Sequence, residues 1–342
     1  MDWLYMYMPI AGMKIFWPGL VLIGFSVGTI GGFFGMGGAW MVTPGLNILG
    51  FPMAFAIGTD MAHIAGKSMV STFRHSKFGN VDYKLGFIML VGTMFGIELG
   101  AQLVMYLERL GNIGTVVRWV YVVLLLLIAT LVFYDYYKAV QKKKKGDVGE
   151  HGAEGITWYK TLHKIKIPPM MHFKTAGFTC SAWLPIGISF STGVLAGFLG
   201  IGGGLIRMPA LVYLIGCPTH IAVGTDLFEV MISGLYGAFT YALKGRIEIV
   251  AVFVMLTGAA IGAQIGTIAT KYARGYGIRI AFGIAVLCCM ISIIMKEYGL
   301  NTAAAVLILS TIGLLCLYII NIMVGGAIQE LREKKNGQTS AA

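Results

Sequence analysis

The chain has 342 residues, of which 57% are hydrophobic and only 12% are charged, against about 25% charged residues in an ordinary soluble domain. This composition argues against a water-soluble fold. Apolar stretches of about 20 residues, the length that crosses a hydrocarbon core, recur along nearly the whole chain and predict an all-α polytopic membrane protein. The formal net charge of +11 does not predict a nucleic-acid partner, because the basic residues cluster in short gaps between apolar segments.

The first half of the chain is predicted to form five helical segments. They cover residues 16–34, 39–49, 53–74, 85–107 and 113–133. A glycine cluster, Gly35-Met36-Gly37-Gly38, separates the first segment from the second, which stops at Pro52. These two segments together span about 35 residues, too many for one crossing at 1.5 Å per residue. We therefore expect a hairpin or re-entrant pair, followed by three full crossings.

A basic stretch divides the chain in the middle. The run from Lys142 to Lys145 follows several tyrosines, which are typical of a membrane interface, and it predicts that residues 138–181 form a cytoplasmic connecting loop. Counting crossings from this loop puts the other strongly basic loops and the C-terminal tail on the same face. We therefore expect the central loop and the C-terminus to lie in the cytoplasm.

The second half repeats the same series of segments. They cover residues 182–199, 205–215, 219–243, 249–270 and 278–295, and a final helix, 302–323, has no partner in the first half. The glycine cluster of this half is Gly200-Ile201-Gly202-Gly203-Gly204. We expect the first repeat to cover residues 1–137, the second 182–296, and the extra helix and tail 297–342.

Ordered matches show that the two halves arose by duplication. The sequence GFFGMGG starting at Gly32 returns as GFLGIGG starting at Gly197, 165 residues later, and the GTD triplet at Gly58 returns at Gly224. Each half contains an odd number of crossings, so the second must enter the membrane from the opposite side. The sequence therefore predicts inverted-topology repeats with glycine-broken helix pairs.

Paired helix breaks in inverted repeats indicate the binding site of a transporter. A short helix that begins after a break concentrates free N–H groups and partial positive charge, which suit an anion. The predicted substrate-binding residues are Gly35, Met36, Gly37, Gly38, Thr59, Gly200, Ile201, Gly202, Gly203, Gly204, Arg207 and Thr225. The glycines could instead serve close helix packing, and Arg207 could instead form a structural ion pair with Asp226 or Glu229.

Ionisable residues at membrane depth are costly and functional by default. Asp60, His63 and Lys67 share one face of a helix. The matching positions of the second half hold Asp226, Glu229 and Ser233. We expect Asp60, His63, Lys67, Asp226 and Glu229 to handle protons or a coupling cation, and a histidine suits protons near neutral pH. Alternatively, the two aspartates cap helix N-termini, and His63 is an ordinary core residue.

Enzyme motifs are absent from the sequence. Gly66-Lys67-Ser68 resembles the end of a phosphate-binding Walker A motif, but Met61 stands where the first glycine should be. The five cysteines lack CxxC spacing and are predicted to be packing residues. We expect no enzymatic activity, no cofactor and no metal site.

With these motifs the chain resembles the TauE/SafE family, the sulfite exporter or toluene sulfonate uptake permeases. The resemblance rests on both glycine clusters with Pro44 and Pro209 downstream, on Gly224-Thr225-Asp226 and on the GAQ triplet at Gly262. It covers nearly everything except the central loop and the tails. The first cluster departs from the pattern, because Ala39 replaces its third glycine, so the two half-sites are expected to be unequal.

The resemblance implies transport of small sulfur oxyanions or organosulfonates across the bacterial cytoplasmic membrane, often outward. We therefore expect a secondary transporter whose partners are a small anion and membrane lipids, and a homo-oligomer stays open. Three acidic residues outnumber Lys67 and Arg207 at the site, so the alternative is a carrier of a cation or another small metabolite. A membrane scaffold or sensor is a third option, although it needs no paired helix breaks.

Overall fold

The computed structural model describes residues 2–34, 39–144, 167–269 and 277–339. Within these residues the protein has eleven helices. They are α1 (Trp17–Phe34), α2 (Val42–Ile48), α3 (Met53–Lys77), α4 (Tyr83–Arg109), α5 (Ile113–Lys144), α6 (Trp183–Leu199), α7 (Gly204–Ala210), α8 (Thr219–Leu243), α9 (Ile249–Ala269), α10 (Gly277–Glu297) and α11 (Asn301–Thr339). A 3₁₀ turn, Ala39–Met41, leads into α2, and a π-helical turn, Leu211–Ile215, follows α7. These elements confirm the predicted all-α fold.

Six helices in the described part of the chain are long and apolar enough to cross a membrane. They are Tyr83–Arg109, Ile113–Lys138, Thr219–Leu243, Ile249–Ala269, Ile280–Glu297 and Asn301–Gln329. Helix α3 is as long, with 25 residues, but it is less apolar because it carries Asp60, His63 and Lys67. The protein is therefore a multi-pass membrane protein, as predicted.

Two helices extend well beyond their predicted ends. The apolar pattern ends near residue 133 in α5 and near residue 323 in α11, yet the helices continue to Lys144 and Thr339. Lysine, glutamine, glutamate and arginine are good helix formers, so a helix need not stop where the apolar segment does. The part of the predicted connecting loop between residues 145 and 166 lies outside the described residues.

A β-hairpin that the helical prediction did not include precedes each repeat. Tyr5–Met8 (β1) pairs with Met13–Phe16 (β2), and Met170–Phe173 (β3) pairs with Phe178–Ser181 (β4), both antiparallel. The hairpins β1–β2 and β3–β4 are 165 residues apart, the same spacing as the glycine clusters. The duplication therefore includes the hairpins.

The two repeats interlock through their first helices. Helix α1 packs along α9 of the other repeat, and α6 packs along α4, and these are the most extensive helix contacts. Glycines four residues apart make the close approach possible: a Cβ added at Gly28 would lie 2.3 Å from the Ala259 carbonyl oxygen, and one at Gly96 would lie 2.4 Å from that of Phe190. Small residues at this spacing let membrane helices pack backbone to backbone.

The equivalent helices α3 and α8 run antiparallel at the centre. Near the start of α3, Gly58 lies against the Arg246 carbonyl beyond the end of α8, and Gly224 near the start of α8 lies against the Asn80 carbonyl beyond the end of α3. Midway along both helices, Gly234 packs against Ala65. Inverted repeats require this arrangement, and the orientation of each repeat across a membrane stays a prediction.

Candidate functional site

The glycine break of the second repeat lies between α6 and α7. Gly200, Gly202 and Gly203 have φ angles of 80°, 67° and 75°, a region in which side chains with a Cβ are strained. The break therefore uses glycine for backbone conformation, which helix packing alone would not require. The corresponding residues of the first repeat, Gly35, Met36, Gly37 and Gly38, lie outside the described residues.

Tyrosine hydroxyls satisfy carbonyl groups freed by this break. Tyr241 donates to the Gly197 carbonyl and Tyr121 donates to the Leu199 carbonyl, each at 2.6 Å. Backbone groups inside a membrane need such internal partners, because lipid offers none. One of these tyrosines comes from each repeat, so both halves stabilise the break.

Arg207, in α7, is the centre of a buried ion cluster. It is 0% exposed, and its Nε donates to Asp226 Oδ1 at 2.7 Å. Its Nη1 donates to Thr93 Oγ1 and its Nη2 to the Gly202 carbonyl, both at 3.0 Å. Nη2 also forms an ion pair with Glu229 Oε2. In this conformation Arg207 therefore makes the structural ion pairs that the sequence left open, and it makes them with both carboxylates.

Glu229 keeps one oxygen without a hydrogen bond to any residue that the structure describes. Its Oε2 contacts Arg207 and accepts from Ser233 Oγ at 3.4 Å, whereas Oε1 is buried with no hydrogen-bond partner in the described part of the chain. An unsatisfied carboxylate oxygen inside a protein is costly. This oxygen is therefore free to take a proton or a ligand.

The first repeat builds a different half-site. Asp60 Oδ2 accepts from the Thr43 backbone N–H at 3.2 Å and from its hydroxyl at 2.8 Å. Thr43 lies in the first turn of α2, so Asp60 binds the N-terminal end of the short helix from outside it. The favourable position of a carboxylate at a helix N-terminus explains this contact.

Helix capping of their own helices is wrong for Asp60 and Asp226. Helices α3 and α8 begin at Met53 and Thr219, so both aspartates lie about two turns inside, at 3.6 residues per turn. Pro52 and Pro218 occupy the cap positions without a side-chain hydrogen bond. The aspartates therefore face other elements.

His63 and Lys67 complete the first half-site as buried groups without hydrogen bonds to the residues that the structure describes. Lys67 is 7% exposed, and neither its Nζ nor either ring nitrogen of His63 has a hydrogen-bond partner among the described residues. The nearest charged contact of His63 is Asp60, with Nδ1 3.8 Å from Oδ1. Lys67 therefore points inward, and three ionisable groups stand together with unused donors and acceptors.

The break of the second repeat joins the two half-sites. A Cβ added at Gly200 would lie 2.7 Å from Thr43 Oγ1, and one added at Gly204 would lie 2.6 Å from Asp226 Oδ2. Between them, Gly202 lies against Ile64 of α3 and Val230 of α8. The segment from Gly200 to Gly204 thus passes between the Asp60 and Asp226 sites, in direct contact with both.

Thr59 and Thr225 make contacts that were not predicted. Thr59 Oγ1 accepts from the Glu248 N–H at 3.1 Å, and Thr225 Oγ1 accepts from the Asp82 N–H at 2.9 Å. Each threonine therefore binds a loop of the opposite repeat. Their predicted role as substrate ligands stays a prediction.

Sequence reasoning missed four residues at or near the site: Thr43, Thr93, Asp82 and Glu248. The hydroxyls of Thr43 and Thr93 carry no spacing signal, since threonine is common in membrane helices. Asp82 and Glu248, in contrast, are 166 residues apart, the same spacing as Asp60 and Asp226. Extending the repeat alignment past the GTD triplets would have found this acidic pair.

Chemically, the site combines a buried guanidinium, three carboxylates, an imidazole and an amine. Guanidinium groups bind oxyanions by paired hydrogen bonds, and carboxylates and imidazole transfer protons. Among the residues that the structure describes, His, Cys, Asp and Glu form no group of three or more that could hold a metal ion. The arrangement suits binding and proton transfer.

Known proteins support a transport role. The chain is similar to the "Probable membrane transporter protein YunE" of Bacillus subtilis strain 168, 27% identical over 255 residues, which cover 72% of this chain and 86% of the relative. A "Probable membrane transporter protein" of Xylella fastidiosa strain 9a5c is 25% identical over 283 residues, covering 81% of this chain and 93% of the relative. No solved structure matches the chain significantly.

A family model places the chain more specifically. The model described as "Sulfite exporter TauE/SafE" matches residues 20–293. This match includes both glycine breaks, the buried acidic residues and Arg207, and it leaves out the first hairpin and the whole of the last helix. The chain therefore belongs to the TauE/SafE family of membrane transporters.

Proposed function

We propose that the protein is a secondary transporter that moves a small sulfur-containing anion, such as sulfite or an organosulfonate, outward across a bacterial cytoplasmic membrane. The central loop and the C-terminus face the cytoplasm in this proposal. One observation carries it: buried ionisable atoms that have no hydrogen-bond partner among the described residues lie around a glycine break beside Arg207, and they belong to Asp60, His63, Lys67 and Glu229. Such groups at membrane depth mark solute and proton pathways.

The second half-site supplies the anion's positive partner. In the present conformation Arg207 is held by Asp226 and Glu229, so the cluster has one excess negative charge when both carboxylates are ionised. Protonation of Glu229 neutralises that excess and releases Nη2 for an oxyanion. Binding of the anion and binding of a proton then favour each other, because each removes an obstacle to the other. The outward direction is driven by the anion's own gradient and by a membrane potential that is negative inside, which favours the exit of a net negative charge.

The first half-site supplies the groups that respond to protons. Within the described part of the chain, Lys67 brings a positive charge without a hydrogen-bond acceptor, and Asp60 and His63 each keep polar atoms without a hydrogen bond. As the anion passes the Gly200–Gly204 segment it approaches these groups within the same packed region. The proposal therefore assigns the anion to Arg207 and the proton balance to both α3 and α8.

A cation carrier is a second candidate, favoured by a specific observation. Asp60 Oδ1 and Glu229 Oε1 are buried acceptors without hydrogen-bond partners among the described residues, and either could ligate a cation. In that case Arg207 would remain locked to its carboxylates throughout transport. A non-transporting scaffold is the third possibility, and it predicts no flux of any solute.

Flux measurements on purified protein in liposomes test the proposal. We expect accumulation of sulfite or of a C2 to C3 sulfonate under a pH gradient, and loss of it in Arg207→Gln. Arg118→Gln is the matched control, because Arg118 also pairs with a carboxylate, Glu297, but is partly exposed and donates to Glu297 and Asn47 rather than to the Arg207 cluster. Flux of a cation that persists in Arg207→Gln would favour the cation carrier, and no flux of any anion would reject the proposal.

A further inference from the structure

The two β-hairpins are attached to the membrane core by the same unusual contact. Glu248 Oε2 accepts hydrogen bonds from the Ile10 and Ala11 N–H groups in the turn of β1–β2, both at 2.9 Å. Asp82 Oδ2 accepts from the Thr175 and Ala176 N–H groups in the turn of β3–β4, at 3.2 and 3.1 Å. Each carboxylate thus binds two consecutive N–H groups of a turn.

Both carboxylates are buried, although they bind surface turns. Glu248 is 0% exposed and Asp82 is 3% exposed. Each belongs to the repeat opposite to that of the hairpin it binds, so the contact holds the two repeats together. A buried charge-assisted hydrogen bond is stronger than a neutral one, and its occurrence in both repeats shows that the duplication kept it.

The same two residues also contact the central helices. The backbone N–H of Glu248 donates to Thr59, the neighbour of Asp60, and that of Asp82 donates to Thr225, the neighbour of Asp226. One residue therefore links a hairpin turn with the helix that carries the buried acid. A movement of α3 or α8 would be transmitted to the corresponding hairpin through a single residue.

The hairpins lie at opposite ends of the central helix pair. Glu248 follows the end of α8 and Asp82 follows the end of α3, and these helices run antiparallel. Hairpin β3–β4 covers the short broken helix of its repeat, since Phe173 and Cys180 pack in one cluster with Leu211 and Ile215. Hairpin β1–β2 approaches the end of α2, where Met13 Cε lies against Gly50.

We infer that the two hairpins are the opposite gates of the transporter, and that Glu248 and Asp82 are positioning residues that hold them shut. This inference rests on the proposed transport function. Alternating access needs one gate to open while the other stays closed. The contacts of Glu248 and Asp82 with the hairpin turns, which we call the two latches, lie at the two ends of one helix pair. Each latch is attached beside a buried aspartate, which couples the gate to the site.

Thiol accessibility tests each gate separately. Cys180 is a residue of β4 whose side chain is buried, and its counterpart in β2 is Ile15; each is 2% exposed. We would compare a protein that retains Cys180 as its single cysteine with a cysteine-free protein carrying Ile15→Cys. Both would receive Asp82→Asn, Glu248→Gln or the control Lys84→Gln, which removes an exposed contact to the His172 carbonyl of the same hairpin but leaves Thr225 untouched.

The Asp82→Asn change is selective for the latch. Asp82 Oδ1 also accepts from the Leu85 N–H at the start of α4, and asparagine is as good a helix cap as aspartate. The asparagine oxygen retains that cap, while its amide nitrogen faces the two N–H donors of the turn and cannot accept a hydrogen bond from them. If Asp82→Asn does not fold, Thr225→Val keeps the carboxylate, removes the link to α8 and should give a smaller rise in Cys180 labelling.

We expect Asp82→Asn to increase the rate at which a membrane-impermeant maleimide labels Cys180 by about tenfold. Loss of a hydrogen bond to a charged group shifts the opening equilibrium of the hairpin by about that factor. Labelling of the thiol introduced by Ile15→Cys should not change. Glu248→Gln should give the reverse pattern, and Lys84→Gln should affect neither. Both latch variants should also lose proton-driven sulfite accumulation.

The outcomes separate the gate inference from the substrate proposal. If each variant changes the labelling of its own hairpin only, but the wild type transports no sulfite, the gate inference stands and sulfite is rejected as the substrate. Unchanged labelling in both variants would overturn the gates, as would labelling of both hairpins by one variant, which indicates general loosening. Selective labelling with unchanged sulfite accumulation would also overturn them, because the hairpins would then be structural.

Discussion

The two half-sites have the same framework but different chemistry. On the repeat alignment, the position of Arg207 in the second repeat corresponds to Val42 in the first, while Ser233 corresponds to Lys67. The positive charge therefore lies on the short helix α7 in one repeat and on the long helix α3 in the other. The second half-site is a closed ion cluster, whereas the first leaves His63 and Lys67 without partners among the described residues.

This difference shows how duplication can produce two roles from one fold. A buried guanidinium between two carboxylates is strongly held, so it opens only when a proton or an anion replaces a contact. Buried groups such as His63 and Lys67, which have no hydrogen bond to a described residue, can bind a charged solute or exchange a proton without first breaking such a bond. In the proposed transport cycle the second half-site is therefore the anion anchor, which binds the substrate, and the first half-site takes up and releases protons.

The largest expected effect comes from Arg207→Gln. It leaves Asp226 and Glu229 buried without their cation, and removal of one partner from a buried ion pair costs about 3–5 kcal/mol. We expect a clear fall in the melting temperature of the detergent-solubilised protein and loss of sulfite flux. The double variant Arg207→Gln/Glu229→Gln should recover part of the stability but none of the flux. A wild-type melting temperature in the single variant would contradict the cluster described above.

The aspartates should differ in their contribution to stability. Asp226→Asn removes a charged partner of Arg207 Nε, worth about 1.5–3 kcal/mol. Asp60→Asn retains a carbonyl oxygen that can still accept from Thr43, so the cost should be below about 1 kcal/mol. Melting temperatures of the two variants, measured side by side, check this order. Equal destabilisation would mean that the half-sites are energetically alike.

Lys67→Met should separate function from stability. Methionine fills a similar volume and removes a buried charge that has no described hydrogen-bond partner, so the protein should be as stable as the wild type or up to about 1 kcal/mol more stable. Transport should nevertheless fail. Lys244→Met, which removes a partly exposed pair with Glu98, is the control and should retain flux. Strong destabilisation by Lys67→Met would reveal a partner for the amine.

The smallest effects are expected from two threonines. Thr43→Val removes the hydroxyl bond to Asp60, and Thr93→Val removes the one from Arg207, each worth about 1 kcal/mol. Thr93→Val should raise the sulfite concentration needed for half-maximal flux, and Thr43→Val should mainly alter the dependence of flux on the pH gradient. Measurement of both quantities for both variants would show whether the two roles are separate; identical changes would argue against it.

The sequence predicted the helices well and their packing poorly. Apolar length and glycine breaks determine where membrane helices run, so the predicted limits of 219–243 match α8. The hairpins were missed because their short strands are apolar and precede helices without a break in composition. The contact between the glycine break and Thr43 joins residues about 160 positions apart, and no local pattern encodes it. The four-residue glycine spacing in α1 and α4, however, could have predicted the interlocked packing.

Parallel measurements of sulfite exchange and proton-driven sulfite accumulation in liposomes test the unequal half-sites most directly. Exchange without a gradient needs the anion anchor, whereas accumulation also needs proton coupling. We predict that Arg207→Gln abolishes both, and that Asp60→Asn retains exchange but loses accumulation. Loss of exchange in Asp60→Asn together with normal exchange in Arg207→Gln would contradict the assignment of the anion to the second repeat.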